Sequence, residues 1–542
     1  MLGVALGLPP TPLEESAPDA VARLAEQLAA RVHDQWADWL VTTTTSSSWR
    51  LPCPEEIDFL TVRLEKVSEL RALRAALSAA HRMVGDRPLV LAGVPSGGDA
   101  AEWMADVALE RGVAGTVSGP PPADSFEPCA VAGRNLRTVA DLAVEWPSLS
   151  VVVCAYNAAD TLAECLTHCD LLDFPRLEVV VVDDGSTDHT AAITRQHPAV
   201  RLVQVSHGGL SAARNAGYLA ATGELIAYLD ADAYPSPEWP WYLALAAAGV
   251  AGSGGPNVPP PGDGLAASVV ARSPGGPVPQ LSDEDRALHL PGCNMAFWRE
   301  VLHALGGFDT ELRSAEDLDY EWRLHERGWE LGYHPAALVW HHRRPERRAY
   351  LRQQRSYGRG QAQLERRHPE RFPKGRRWQQ LGAAVRGASD RGAGTALPVA
   401  YRSLLWREQA KLGLLHQWGV PIAAALLITT PLGLVAPMLA SPGLVGSALI
   451  TVVFVLDLRS TPPPRMTKPA SLRFRASVAL NHMLRPLAFQ WGKSRERLAL
   501  RLPATRRLWP PPQRRRRRNG PWMDRFHGPI DRDASMIRDA PK

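Results

Sequence analysis

Asp230 and Asp232 end an apolar run, ELIAYLDADAYPSP, at residues 224–237. On an extended chain, residues two apart face the same side, so the two carboxylates can converge on one point. A buried carboxylate pair repels unless something cationic neutralises it. Hard oxygen ligands suit Mg2+ or Mn2+, which usually bridge to substrate phosphate oxygens. The plain alternative is an Asp-rich turn capping the next helix. Three other polar pieces share this placement. VVVCAYNAADTL, at 151–162, opens from a strand into Ala155, Tyr156 and Asn157. VVVVDDGSTDHT, at 179–190, ends a strand on Asp183 and Asp184, and Gly185 permits the sharp turn that follows. GLSAARNAG, at 209–217, enters a helix with Arg214 and Asn215 near its start.

The elements that must position these residues alternate. Leu149–Ala155, Glu178–Val182, Arg201–Val205 and Leu225–Leu229 read as strands; Ala159–Cys169, Asp188–Gln196 and Ser211–Ala221 read as helices. Short β-rich runs separated by helices predict an α/β fold, a Rossmann-like, mainly parallel sheet with helices on both faces. In such sheets ligands bind beyond the carboxyl ends of the strands. Cys165 and Cys169, with His168 between them, sit in an apolar helical pattern without a second ligand pair and read as core rather than metal ligands.

In joint order, the YN, VVDDGSTD, ARNAG and DAD pieces, followed by PGCNMAFWRE, GGFD and EDLDYEWRLHERGW, resemble the family 2 glycosyltransferases with their GT-A fold. The resemblance covers about 220 residues and implies roles residue by residue. Asp183 matches the position that hydrogen-bonds the nucleotide base, and Asp184 is its paired acid. Ala155, Tyr156 and Asn157 lie in the first nucleotide loop, and Arg214 matches a donor-pocket residue. Asp230 and Asp232 match the pair that holds a divalent metal and the donor diphosphate. Glu316 and Asp317 match the acidic motif that supplies the general base, Asp317 being preferred. The plain alternative is that these acids only complement a helix N-terminus. His341, in VWHH, matches a third metal ligand of some relatives; His342 and a purely structural histidine stay open. Gly292, Asn294 and Trp298 are candidates to shape the acceptor side, and His289 is left unassigned. Processive polymer synthases of the family carry Gln-x-x-Arg-Trp after the base motif. Here LRQQRSYGRGQAQLERRHPERF lacks the Arg-Trp pair, so transfer of one or few sugars is expected.

The whole chain has 542 residues and a net charge of +5, but the charge is segregated. Arg459–Lys542 holds 21 Lys/Arg against 5 Asp/Glu, which leaves the remainder acidic. A basic tail on an acidic body calls for a polyanionic partner for the tail alone. Six cysteines are too few for a disulfide framework, and MLGVALGLPP lacks the charged start of a secretory signal. Gly419–Leu456 has no charged residue and is long enough for two bilayer crossings, about 419–440 and 443–458, turning at Ser441-Pro442-Gly443. A buried helical pair is the alternative. Basic residues on both flanks favour a hairpin with both ends cytoplasmic. Ser471–Trp491 reads as a stretch able to lie in the membrane interface. Arg514–Arg518 reads as a site for anionic lipid, with nucleic acid the weaker partner.

The expected organisation is therefore an α-rich N-terminal α/β region at 1–145, a GT-A catalytic domain at 148–370, a basic amphipathic helical linker at 371–418, a transmembrane hairpin at 419–458 and a basic, partly disordered tail at 459–542. Within the N-terminal region, Asp19–Leu40 and Pro54–Val84 read as helices, Thr42–Ser48 and Thr116–Phe126 as linkers, and Pro88–Ala92 as a strand. The expected function is an inverting, metal-dependent transfer from a nucleotide-sugar to a lipid-linked or cell-envelope glycan acceptor at the cytoplasmic membrane face. A polyprenyl-phosphate sugar transferase is the alternative enzyme, and a membrane scaffold with a degenerate transferase domain the alternative outside enzymes.

Overall fold

The computed structural model describes residues 145–260, 263–282, 285–372, 420–427, 431, 441–460 and 468–499, and the backbone of five N-terminal strands. Those strands are β1 (Gly3–Leu6), β2 (Leu40–Ser46), β3 (Phe59–Arg63), β4 (Leu89–Val94) and β5 (Gly115–Ser118), paired in parallel in sequence order. This corrects three expectations. The threonine-rich stretch is a strand rather than a linker, as its β-branched residues permit. FLTVR inside the expected helix at 54–84 is also a strand, and the first residues of the expected linker at 116–126 complete β5. The N-terminal region thus contains a five-stranded parallel sheet. Most of the helix expected at 19–40, all but the first two residues of the linker expected at 371–418, and the arginine run lie outside the described residues.

The alternating segment folds as read. It runs β6 (Leu149–Ala155), α1 (Leu162–Asp170), β7 (Leu177–Asp183), α2 (Thr190–Thr194), β8 (Val200–Gln204), α3 (Leu210–Ala220) and β9 (Leu225–Asp230). Strands β8, β7, β6 and β9 lie side by side in parallel. Val151, Val152 and Val153 are all fully buried although successive residues point to opposite faces, so both faces of the sheet are covered.

Beyond β9 the sheet is gathered from scattered pieces. These are β10 (Ala233–Pro235), α4 (Trp239–Ala247), β11 (Gly252–Gly254), β12 (Asn257–Val258), α5 (Gly264–Arg272), β13 (Gln280–Leu281), β14 (Arg286–His289), β15 (Asn294–Trp298), α6 (Arg299–Leu305), α7 (Glu316–Glu326), β16 (Leu331–Tyr333), β17 (Val339–His341) and α8 (Arg347–Arg367). The full order is β13-β14-β16-β11-β15-β9-β6-β7-β8. Strands β14 and β15 oppose their neighbours, so the sheet is mixed where the sequence led us to expect a mainly parallel one. A separate small sheet, β10-β17-β12, sets Ala233 opposite His341.

The chain closes with α9 (Val420–Leu427), α10 (Ser441–Ser460) and α11 (Lys468–Ala499). Among the described residues, one helix, Ser441–Arg459, is long and apolar enough to cross a membrane. The described part of the first expected span is the eight residues of α9 and residue 431, so among the described residues the expected hairpin has one qualifying helix. Helix α11 lies along α8, where Gly358 faces the Phe489 carbonyl and Gly492 faces the Arg355 carbonyl. A Cβ at either glycine would collide with the other helix's backbone.

Candidate active site

The acids expected to hold a metal do converge. Strand β9 delivers Asp230 at its last residue, and the turn into β10 brings Asp232 alongside. Register between β10 and β17 carries His341 to them: its Nε2 stands 3.2 Å from Asp232 Oδ1 and 3.9 Å from Asp230 Oδ2. The remaining oxygens also face cations, Asp230 Oδ1 toward Arg214 Nη2 at 3.8 Å and Asp232 Oδ2 toward Arg344 Nη1 at 3.2 Å. Burial pushes both acids up. For Asp230 burial prevails; for Asp232 the His341 hydrogen bond and the His341 and Arg344 charges outweigh it and hold its carboxyl at about 2. Two carboxylates and one imidazole around a point that the chain itself lines with cations form a donor set suited to Mn2+ or Mg2+. Cys293 Sγ belongs to the same cluster, within 4.8 Å of ligand atoms on Asp230 and His341, and burial pushes its thiol well up. His342 points elsewhere, to Tyr234 and Asp263 at 2.5 Å each, which separates the two adjacent histidines.

Arg214 connects this cluster to the second acidic motif. It is fully buried, with Nη1 donating to Glu316 Oε1 at 2.6 Å and Nη2 to the Gly292 carbonyl at 3.1 Å. Glu316 is thus engaged and buried, its carboxyl raised by burial despite Arg214. Asp317 next to it is partly exposed and receives two backbone N–H groups, from Gly292 at 3.2 Å and Leu318 at 2.8 Å. Ala315, immediately before the pair, has φ 65°, a left-handed conformation costly for alanine. Ser314 is anchored to α8 by its hydroxyl, which donates to the Ser356 carbonyl. Behind Asp317, His289 Nδ1 meets Glu321 at 2.6 Å. Burial alone would lower His289, but the Glu321 charge and hydrogen bond raise it to about 9.

The loop at Ala155–Asn157, expected to be the first nucleotide loop, and the acid pair pack together. Asp183 accepts from the Ser186 amide at 2.9 Å and Gln204 Nε2 at 3.1 Å; Asp184 accepts from the Gly208 and Gly209 amides at 2.8 and 2.9 Å. Asp184 thereby shapes the turn into α3, and its own amide donates to the Ala155 carbonyl. Asn157 ties this loop to the next, accepting from the Thr187 amide at 2.9 Å. Tyr156 is half-exposed and stacks on His207, ring centroids 4.2 Å apart. His207 drew no attention in the sequence because it stands outside every motif. Arg344 and Tyr357 were also missed. Tyr357, on α8, is in the electrostatic field of Asp317, Cys293, Arg344 and Asp230, and only the fold of α8 over the site brings it there. Asn294 and Trp298, expected to shape the acceptor side, instead tie buried backbone: Asn294 donates to the Pro256 and Ala337 carbonyls, and Trp298 to those of Ala247 and Val250. Cys165 and Cys169 are buried on α1, as the core reading expects.

Residues 150–306 match the family described as glycosyl transferase family 2, and residues 263–457 match glycosyl transferase family group 2. The chain is 30% identical over 236 residues to the pre-mycofactocin glycosyltransferase of Mycobacterium tuberculosis, covering 41% of this chain and 48% of that one. It spans about half the length of that relative. It is also 28% identical over 232 residues to the glycosyltransferase AglE of Haloferax volcanii, covering 40% of this chain and 74% of the other. A solved structure of the mannosyltransferase PcManGT from Pyrobaculum calidifontis, in complex with GDP-Man and Mn2+, overlaps with a TM-score of 0.37 at 24% identity, covering 64% of this chain and 90% of that one. The strand-end motifs of β6, β7 and β9 fall inside the first matched segment, and this chain therefore carries a glycosyl transferase family 2 domain.

Proposed function

We propose that this chain is an inverting glycosyltransferase that moves a sugar from a nucleotide-sugar donor to a lipid-linked or cell-envelope glycan acceptor at the cytoplasmic membrane face. The observation that carries the reading is the meeting of Asp230, Asp232 and His341, bridged through Arg214 to the Glu316–Asp317 motif. Asp230, Asp232 and His341 would hold a divalent Mn2+ or Mg2+, which offsets the negative charge growing on the leaving diphosphate. Asp183 receives the nucleotide base, flanked by Tyr156 and His207. Asp317 takes the proton of the acceptor hydroxyl. As that oxygen bonds the anomeric carbon from the face opposite the diphosphate, the bond to the diphosphate breaks and the configuration inverts. Glu316, held by Arg214, positions its neighbour rather than accepting the proton. Membrane attachment is assigned to α10, with a second crossing at 419–440 completing a hairpin, and the basic tail meets anionic lipid.

Purified full-length protein with Mn2+ and a panel of nucleotide-sugars tests this. Slow release of the nucleoside diphosphate from at least one donor is expected. Failure of every donor to be bound or hydrolysed would contradict it. Labelling of lipid extracts with a radioactive sugar then separates a polyprenyl-phosphate acceptor from a glycan.

A further inference from the structure

Helix α11 is patterned the opposite way to the surface helix of a soluble domain. Several of its polar groups turn inward. Asn481 accepts from Arg347 and donates to Ser273; Arg485 donates to the buried Gln354; Lys493 and Arg497 pair with Glu365; and Glu496 accepts from Gln363. Its outward line is apolar. Leu472, Leu487, Trp491 and Leu498 are 58%, 37%, 64% and 68% exposed, and Leu480 and Leu484 between them are partly exposed. At 3.6 residues per turn these six fall within about 60° of one line along the helix. A surface helix facing water shows its charged side outward.

We propose that this outward line is seated in the headgroup–acyl boundary of an anionic bilayer, so that α11 lies in the membrane plane while its inner face braces α8. Three features commit the face to lipid. It is continuous with α10, which packs on α11 through Val453 and Met483 and exposes Leu444, Val445, Val452 and Leu456 of its own. Arg473 and Arg495, both exposed, lie on the same side of the helix as the line, near its two ends, where their long side chains would reach lipid phosphates. Beyond the helix the chain continues for a further stretch carrying Arg506, Arg507 and Arg514–Arg518, a charge that complements the same surface. Trp491 is of the residue type enriched at membrane interfaces. The consequence is structural coupling: α8 carries Tyr357 and anchors Ser314 beside the acidic motif, so the membrane seat would set the acceptor side of the site at the bilayer surface.

The inference rests on the membrane reading of α10, and the test keeps the two apart. Nitroxide labels are placed singly at positions 480, 484, 487 and 491 of α11, at 452 of α10 and at 219 of α3, in the full chain with Cys53, Cys129 and the partly exposed Cys154 replaced by Ser. The protein is reconstituted in phosphatidylcholine vesicles with and without about 30% phosphatidylglycerol. Collisions with oxygen and with a water-soluble nickel chelate are compared. The oxygen-to-nickel ratio should rise several-fold at 480, 484, 487 and 491 over that at 219, an exposed position on α3, and more strongly with the anionic lipid. Position 452 should read deepest. Nickel access along the line equal to that at 219, with 452 still in lipid, would leave the span standing and overturn the seat. Dipolar coupling between labels at 487 on two copies would assign the face to a second chain and overturn it as well. Nickel access at both 452 and the line would remove span and seat together.

Discussion

On one side of β9, strands β6, β7 and β8 follow one another along the chain and run in parallel; on the other, β15, β11 and β16 are drawn from three separate stretches and two directions. The first side holds the loops proposed to take the nucleotide, each made by a turn directly after its strand. The second holds Glu316 and Asp317, whose placement depends on Arg214 from α3, the Gly292 backbone and the contact between Ser314 and α8. A donor site can be formed from local turns, whereas the acceptor side is assembled from long-range polar contacts and helix packing. Perturbing one side should therefore leave the other measurable.

The largest expected effect on the acceptor side alone is that of Asp317→Asn. Transfer should fall by about 10²–10⁴-fold, the usual worth of a positioned general base, while nucleotide binding stays near that of the parent; full activity in the variant would refute the assignment. Next comes Gly358→Val, which forces a side chain against the Phe489 carbonyl where α8 crosses α11. Overpacking of this kind costs about 1–3 kcal/mol, so thermal denaturation should shift down. Nucleotide binding by the folded protein should persist, and a loss of both together would mean that the two sides are not separable.

A smaller effect distinguishes them by pH. The His289 side chain, facing Glu321, Asp317 and Glu316, is raised from 6.5 to about 9 by Glu321 against burial. A raised histidine contributes stability that is complete below its unfolded value and fades as pH rises through its folded one. The melting temperature should therefore decline between pH 6.5 and about 9, and His289→Asn should flatten that decline; an unchanged slope in the variant would exclude His289 as its source. The smallest effect is at Ala315. Replacing it with Gly relieves the left-handed strain by about 1 kcal/mol, visible as a slightly higher unfolding midpoint accompanied by slower transfer as the acidic motif loosens.

The same division explains what the sequence disclosed. Strand β6 was read to its residue limits, and β7, β8 and β9 to within one, because apolar runs bounded by Asn157, Gly185 and Asp230 are local signals. Gly252–Gly254 and Leu331–Tyr333 give no such signal, since three residues buried by neighbours from elsewhere need no pattern of their own. The Thr42–Ser46 run satisfies both a polar linker and a β-branched strand, and only its partner strands decide between them. In α11 the mixed basic and apolar composition was legible, but not that Arg485, Lys493 and Arg497 would bond α8. Among site residues, the acids and His341 could be found from spacing and resemblance. His207, Arg344 and Tyr357 could not, because each reaches the site through tertiary packing.

The most direct test of the central claim is Mn2+ binding by the full-length protein, followed by electron paramagnetic resonance in the presence of a nucleoside diphosphate. The parent should bind one Mn2+ whose signal broadens on protein binding and whose affinity rises with the nucleotide, and Asp232→Asn should lose that site while remaining folded. Equal Mn2+ binding by the parent and the folded variant would contradict the placement of a metal-held donor at Asp230, Asp232 and His341.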